Sequence, residues 1–451
     1  MTAANTKDMS QETPLKLILN FSIPLLFGML FQQIYNIVDA IIVSHFLGVK
    51  ALAGVGSTGS INFLILGFCG GLCNGFALPV AQSFGAKDEN SLRKFVGNSA
   101  VLAVFFALII TLTTTALSRN ILEWMGTPAD IIDLAHDYLI IVFWGIPALM
   151  LYNTLAGYIR ALGNSVIPLV FLIFSTCLNI VLDLFWILVL KAGVSGAALA
   201  TVISQGISGI LCLLYIRKHI KILCLKRSDL KLHPRYVKPL LRMGLPMGIQ
   251  YSITAIGSVI LQTAVNSLGS TAVASMTAGG KISMFVVCPF DALGSTMATY
   301  AGQNVGAGKL SRLGKGLKTS LLLGCVYSVI IFGILSLFSG NLLYLFVSSS
   351  EKLVISQAKT FLFYNSLFYV LLCLVNCIRF TIQGMGFSGF AVFAGFAEMI
   401  ARALIGLIFI PAFGYTAACL ASPAAWVLAD AFLIPAYFYA KKQLYRKQSS
   451  L

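Results

Sequence analysis

The sequence predicts an all-α membrane protein of twelve transmembrane helices, arranged as two six-helix bundles related by a parallel repeat. Three observations predict it. The 451 residues are 58% hydrophobic and 10% charged, against roughly 45–50% and 25% in ordinary globular chains. The apolar residues fall into runs long enough to cross a bilayer, which takes about 20 residues each. The second half of the chain repeats the first. So dry a chain cannot cover a soluble surface of this size. The same composition excludes a disordered protein, a small disulfide scaffold and a nucleic-acid-binding domain.

The predicted spans are 16–43, 57–84, 95–118, 134–160, 165–190, 194–217, 239–267, 282–303, 318–345, 354–382, 388–411 and 415–440. The first is preceded by 13 polar residues, is too long for a signal-peptide apolar region and lacks a small-residue cleavage site, so it is expected to remain as a span. Twelve spans put both termini on one side. With the termini inside, 24 of the 31 Lys and Arg residues fall in cytoplasmic segments. Nine lie between Arg217 and Arg242, and Arg379 is among the others. Six, including Lys50, Arg119, Lys191 and Lys359, fall outside, and Arg402 alone is left within a span. That bias is the positive-inside signal, and it accounts for the net charge of +16 without nucleic acid. The ten cysteines are expected to be small core residues.

The repeat is read from matched segments. Pro24 in "FSIPLLFGM" corresponds to Pro246 in "MGLPMGIQY". "FLGVKALAGVGS" at 46–57 matches "SLGSTAVASMTA" at 267–278, and "AQSFGAK" at 81–87 matches "GQNVGAGK" at 302–309. Asn153 and Gly163 match Asn376 and Gly386, and "GVSGAALATVIS" at 193–204 matches "GYTAACLASPAA" at 414–425. The offset stays at 221 to 223. The expected organisation is a six-helix lobe at 1–216, a basic cytoplasmic linker at 217–240 and a second lobe at 241–451. Six spans per half is an even number, so both halves run in the same direction, an arrangement used by alternating-access transporters.

Ionisable groups inside a bilayer cost at least about 2.5 kcal/mol and are read as functional by default. Asp39 in the first span and Asp183 in the fifth stand out. Their repeat counterparts, Ile260 and Gly406, are not acidic. Counting residues to the outer ends at about 1.5 Å each places the two acids roughly 7 and 12 Å deep, at similar height. Asn179 is one turn before Asp183, Thr201 enters at the same level on the sixth span, and Asn153 lies nearer the middle of the fourth. Such oxygen ligands suit Na⁺, and a carboxylate in a dry lobe would equally take up a proton. Pro24 lacks an N–H and Gly28 removes a side chain one turn later, so the first span is expected to bend there. Glu398 and Arg402 form an i,i+4 pair expected to neutralise itself. Asp291 and Asp430 are candidates for facing a substrate cavity.

Other chemistry is missing. "GAGKLS" at 306–311 has Leu310 where a phosphate loop needs Ser or Thr, and Gln303 where it needs the first Gly. The four histidines are dispersed, so no metal site or catalytic triad is drawn and no enzyme is expected. No selectivity-filter loop occurs.

These residues resemble the multidrug and toxic compound extrusion (MATE) family of ion-coupled efflux transporters over essentially the whole chain. The carriers are "QQIYNIVDAIIVSHFLG" after Pro24, "AQSFGAKD", "GYIRALGNSVIP" at 157–168, "LNIVLD" at 178–183 and "GVSGAALATVIS". The resemblance is to the prokaryotic branch with its cation site in the amino-terminal lobe. It implies that Asp39, Asn179, Asp183, Asn153 and Thr201 form that site, that Tyr35 borders it, and that Pro24 bends the first span. It also implies export of amphipathic, often cationic compounds against H⁺ or Na⁺, with no organic cofactor. The expectation is a monomer in the cytoplasmic membrane of a bacterial-type cell, meeting small organic substrates and lipid. The rival readings are a flippase for lipid-linked precursors, which would need a strongly cationic cavity, and a non-transporting receptor.

Overall fold

The structure is a computed structural model describing residues 6–449, and every regular element among them is helical. The chain packs as two units. One comprises Phe27–Gly248 together with the residues up to Asp8; the other comprises Met9–Leu26 together with the chain from Ile249 onward.

The helices before the linker are α1 (Pro14–Leu47), α2 (Val49–Ser57), α3 (Gly59–Gly85), α4 (Glu89–Trp124), α5 (Ile132–Trp144), α6 (Ile146–Ala161), α7 (Val166–Leu184) and α8 (Gly193–His219). After it come α9 (Pro234–Asn266), α10 (Ser270–Gly306), α11 (Ser311–Leu343), α12 (Lys352–Leu367), α13 (Tyr369–Gly384), α14 (Gly389–Leu404), α15 (Ile410–Phe413) and α16 (Tyr415–Ser449). Ten spans are single long apolar helices or helices continued through a wide turn. Two are bent pairs, α5–α6 by 45° and α12–α13 by 50°. Counting each pair once gives the twelve transmembrane helices in two six-helix bundles that the composition predicts.

The repeat appears in the packing. In the first unit α3 and α4 pack on α6, and α6 and α7 pack on α8; in the second, α10 and α11 pack on α13, and α13 and α14 pack on α16. Both fourth-span breaks recur in register, at Gly145 and Phe368. Pro147 follows the first. Gly145 also brings its backbone against α8, where a Cβ would lie 2.2 Å from Val202. At Phe368 there is no proline; just before it the Asn365 amide and the Ser366 hydroxyl donate back to the carbonyls of Phe361 and Phe363, at 2.9 and 3.1 Å. The halves differ at Thr58, where α2 gives way to α3 while α10 runs on unbroken. The Ser57 and Thr58 hydroxyls donate back to the carbonyls of Gly54 and Val55, each at 2.7 Å, which competes with the helix ladder.

Apolar side chains point both ways. Phe76, Tyr158, Phe290 and Tyr369 are fully enclosed, whereas Val104 (61% exposed), Leu112 (61%) and Leu337 (78%) face outward, as lipid-facing positions do. All ten thiols are free, and seven are buried. Cys177 is exposed on α7, and Cys224 and Cys325 are half-buried. A lipid-facing site accepts a small thiol as readily as a core does, so the expectation of ten core cysteines holds for those seven.

The linker docks on α4. The Lys94 ammonium donates to the Ser228 carbonyl at 2.7 Å and pairs with Asp229 at 3.3 Å; His233 N–H donates to Asn98 Oδ1 at 2.9 Å. Burial opposes the Asp229 charge, but the Lys226 N–H and the Lys94 ammonium outweigh it and hold this carboxyl below its usual range. In the second unit the "GQNVGAGKLSR" segment holds the chain near its start. Met9 N–H donates to Gln303 Oε1 at 2.7 Å, Asn304 Nδ2 to the Met9 carbonyl at 3.2 Å, and Lys309 Nζ to the Ser10 carbonyl at 2.9 Å. The loop that faintly resembles a phosphate cradle thus binds main-chain carbonyls.

Gly163, at φ 85°, sits where a Cβ would lie 2.0 Å from the Lys7 carbonyl oxygen. Gly163→Ala is expected to lower stability by at least about 1–2 kcal/mol. Gly333→Ala, in a helix interior with open space around it, should gain up to about 1 kcal/mol. Thermal unfolding in detergent reads both, and equal midpoints for the two variants would contradict the packing described.

Candidate functional site

Within the first unit, α1 carries Tyr35 and Asp39 one turn apart, α7 carries Asn179 and Asp183 one turn apart, and α8 carries Thr201. The i,i+4 spacing puts each pair on one helical face. Tyr35 Oη lies 2.8 Å from Thr201 Oγ1. With the Asn179 amide turned so that its nitrogen faces the acid, it donates to Asp183 Oδ2 at 3.1 Å, and its oxygen accepts from the Thr201 N–H at 3.1 Å. The carboxyls of Asp39 and Asp183 lie next to each other. Asp183 is fully buried and Asp39 half-buried. Each keeps one oxygen, Oδ1, enclosed without a partner.

Among the described residues neither acid makes an ion pair. Two facing carboxylates out of water need a small cation or a proton between them. The oxygens of Asp39, Asp183, Asn179, Thr201 and Tyr35 are hard ligands of the kind Na⁺ takes. Among the described residues no group of three or more His, Cys, Asp or Glu is placed to hold a metal ion.

Directly after Asp183 the helix widens into a π-helical turn, Phe185–Val189. Such turns concentrate at functional sites because the extra residue re-aims the side chains around it. The second unit also has a π-helical turn, Ile405–Phe409, which begins one residue before Gly406, the counterpart of Asp183. There the counterparts of the two acids also adjoin, but without charge: a Cβ on Gly406 would meet Ala264 at 3.1 Å and the Ile260 carbonyl at 3.9 Å. One geometry is therefore filled by a carboxyl pair in one unit and by close apolar packing in the other.

Tyr138 of α5, buried beside both acids, was not anticipated. One signal for it exists: its repeat counterpart is Phe361, so only the first half places a hydroxyl there. Asn153 is not brought into the cluster; its amide donates to the Leu149 carbonyl of its own helix at 3.0 Å. A mid-helix Asn can satisfy itself this way, and no depth argument detects it. Pro24 lies inside an uninterrupted α1. Gly28 packs against α7, its Cβ position 3.4 Å from Leu172 and 3.7 Å from Leu169. The unit boundary in α1, Leu26–Phe27, falls between them.

The second unit holds a separate polar group. Glu398 and Arg402 pair at 3.5 Å as their spacing predicts. Arg379, expected in a cytoplasmic segment, is instead 6% exposed and bonded to the other Glu398 oxygen. A countercharge 19 residues away removes its need to reach water. The buried cations are therefore two, not one, and both lie on one glutamate. Asp291 accepts from Asn376 Nδ2 at 2.8 Å. Asp430 is 4% exposed, and neither of its oxygens has a partner.

The fold and these intramembrane acids define a polytopic helical membrane protein of the transporter type. The chain belongs to the MatE family, whose model matches residues 24–185 and again 246–408. It is 29% identical over 344 residues, 75% of this chain and 74% of the other, to the probable multidrug resistance protein YoeA of Bacillus subtilis strain 168. It is 31% identical over 308 residues, 68% of each chain, to the probable multidrug resistance protein YpnP of the same organism. A solved outward-facing multidrug resistance MATE family transporter of the MOP superfamily superposes with a TM-score of 0.89 at 22% identity, over 99% of this chain and 100% of that one.

The Arg379–Glu398–Arg402 geometry makes a coupled prediction. Glu398→Gln removes the carboxylate that both buried guanidinium groups pair with and should cost about 3–5 kcal/mol. Adding Arg379→Gln should cost much less than the two single losses summed. Unfolding midpoints of the four proteins in the cycle measure this, and strict additivity would mean that the residues do not interact.

Proposed function

We propose that this protein is a secondary active exporter of amphipathic, mainly cationic organic compounds, exchanging them for protons by alternating access. The observation that carries the reading is the Asp39–Asp183 carboxyl pair, enclosed without a basic partner. Two carboxyl groups this close, with no basic partner, are held together by a proton kept on one of them. Losing it leaves two like charges in a medium that screens poorly. Their repulsion acts between α1 and α7. Helix α1 yields most readily at Pro24, where a ladder bond is already missing. Proton uptake restores the pair and the seating of Gly28 on Leu169 and Leu172. Asn179, Thr201 and Tyr35 supply the dipoles that hold the acids in register. Substrate export is supported by the two Bacillus relatives described as probable multidrug resistance proteins.

The site belongs in a cytoplasmic membrane, in a monomer with both termini and the basic linker inside. Na⁺ at the same oxygens is the alternative coupling ion. A flippase is disfavoured because Arg379 and Arg402 are both occupied by Glu398, leaving little free positive charge for a pyrophosphate head.

Uptake of a fluorescent organic cation into everted vesicles tests this, with pH and Na⁺ gradients imposed separately. A pH gradient alone should drive transport, and Asp39→Asn should abolish it while leaving folded protein in the membrane. Full transport by Asp39→Asn refutes the site; transport driven only by Na⁺ refutes the proton. For orientation, a cysteine replacing Thr127 should react with an impermeant maleimide from outside, and one replacing Ser228 only after permeabilisation. The reverse pattern would invert the topology.

A further inference from the structure

We propose that the second unit holds a proton-binding site of its own at Asp430, separate from the Asp39–Asp183 cluster. Asp430 projects from α16 and is 4% exposed. Both carboxylate oxygens are enclosed with no hydrogen-bond partner. Facing it are Arg379 and Cys373 from α13 and Glu398 from α14. From α12 the contact with α16 runs through an uncharged group, the Asn365 amide donating to the Cys419 carbonyl at 3.2 Å. Glu398 is already bonded on one oxygen to Arg379 and on the other to Arg402.

Charge balance locates the proton. Arg379 and Arg402 carry two positive charges; Glu398, Asp291 and Asp430 carry three negative ones when ionised. The group is then one charge short of neutral, which a single proton corrects. Asp291 receives a hydrogen bond from Asn376 at 2.8 Å, which supports its ionised form. Asp430 receives none, and an unpartnered buried carboxylate is far more costly than an unpartnered neutral acid. The proton therefore resides on Asp430. A metal ion does not suit the place, because hard cations take several oxygens at once and both Glu398 oxygens are engaged.

The site also has something to switch. Arg379 Nε and Arg402 Nη1 are enclosed without partners. When the proton leaves, Asp430 becomes a second anion competing with Glu398 for Arg379. Occupancy then decides whether the guanidinium ties α13 to α14 or to α16. The repeat counterpart of Asp430 is Gly209, where a Cβ would lie 3.0 Å from Leu151, so this site is no copy of a first-unit one. It stands whether or not the Asp39–Asp183 pair couples export.

Difference infrared spectroscopy of the full chain in lipid nanodiscs, across an acid–base titration, tests it. The wild type should show a protonated-carboxyl band that Asp39→Asn/Asp183→Asn keeps and Asp430→Asn loses. Asp430→Glu, which retains the carboxyl if the asparagine variant folds poorly, should keep the band but shift its frequency. An unchanged band in Asp430→Asn, or an unmoved one in Asp430→Glu, overturns the proposal. Loss of the band on adding Na⁺ at constant pH would also overturn it, by showing a metal-cation site.

Discussion

Two carboxyl groups face each other inside a helical bundle, and among the described residues neither makes an ion pair. The rest of the first unit is arranged around that constraint. Two unit charges about 4 Å apart, at an effective dielectric near 20, interact by about 4 kcal/mol, a large fraction of the stability of an ordinary fold. Such a pair persists only if something small and positive sits between its members, or if the helices carrying them part. Both alternatives are available. Asp183 is anchored by Asn179 on its own helix, and Asn179 is in turn anchored by Thr201. Asp39 rides on a helix with a proline fifteen residues earlier. One member of the pair is fixed and the other is on a part that can bend.

The duplication built two scaffolds of one design and then used them differently. Break positions, π-helical turns and helix pairings recur. Electrostatics does not. Where the first unit sets acid against acid, the second sets Gly406 against the backbone around Ile260. Its own charges lie elsewhere, around Glu398. A repeat supplies equivalent places, and the side chains at those places decide whether they hold a cation or close up. Asn376 shows the same divergence: it bonds Asp291 across helices, whereas its partner Asn153 bonds its own helix.

Much of this was legible in the sequence. Spans are legible because apolar length is a one-dimensional property. The acid pair is legible because a charge in an apolar run is rare, and because residue counting fixes depth to within a turn. Asn179 follows from helical spacing beside Asp183, Thr201 from its depth on the sixth span, and Tyr35 from the family resemblance. What was not legible depends on partners far away in the chain. Arg379 sits near a span end and reads as a topology signal until Glu398 is placed against it. The bend at Phe368 has no proline or glycine to announce it. Tyr138 looks like one aromatic among 52, and only comparison with Phe361 singles it out. Asn153 has the residue type the site calls for, but its amide bonds the Leu149 carbonyl of its own helix.

The most direct test of the central claim counts protons. Purified protein in weakly buffered solution should release protons when an organic cation binds, because exchange requires that the two be bound in turn and not together. If Asp39 and Asp183 act as one unit, either single asparagine variant should lose that release, and the double variant should lose no more than either. Release that persists undiminished in both single variants would contradict the account.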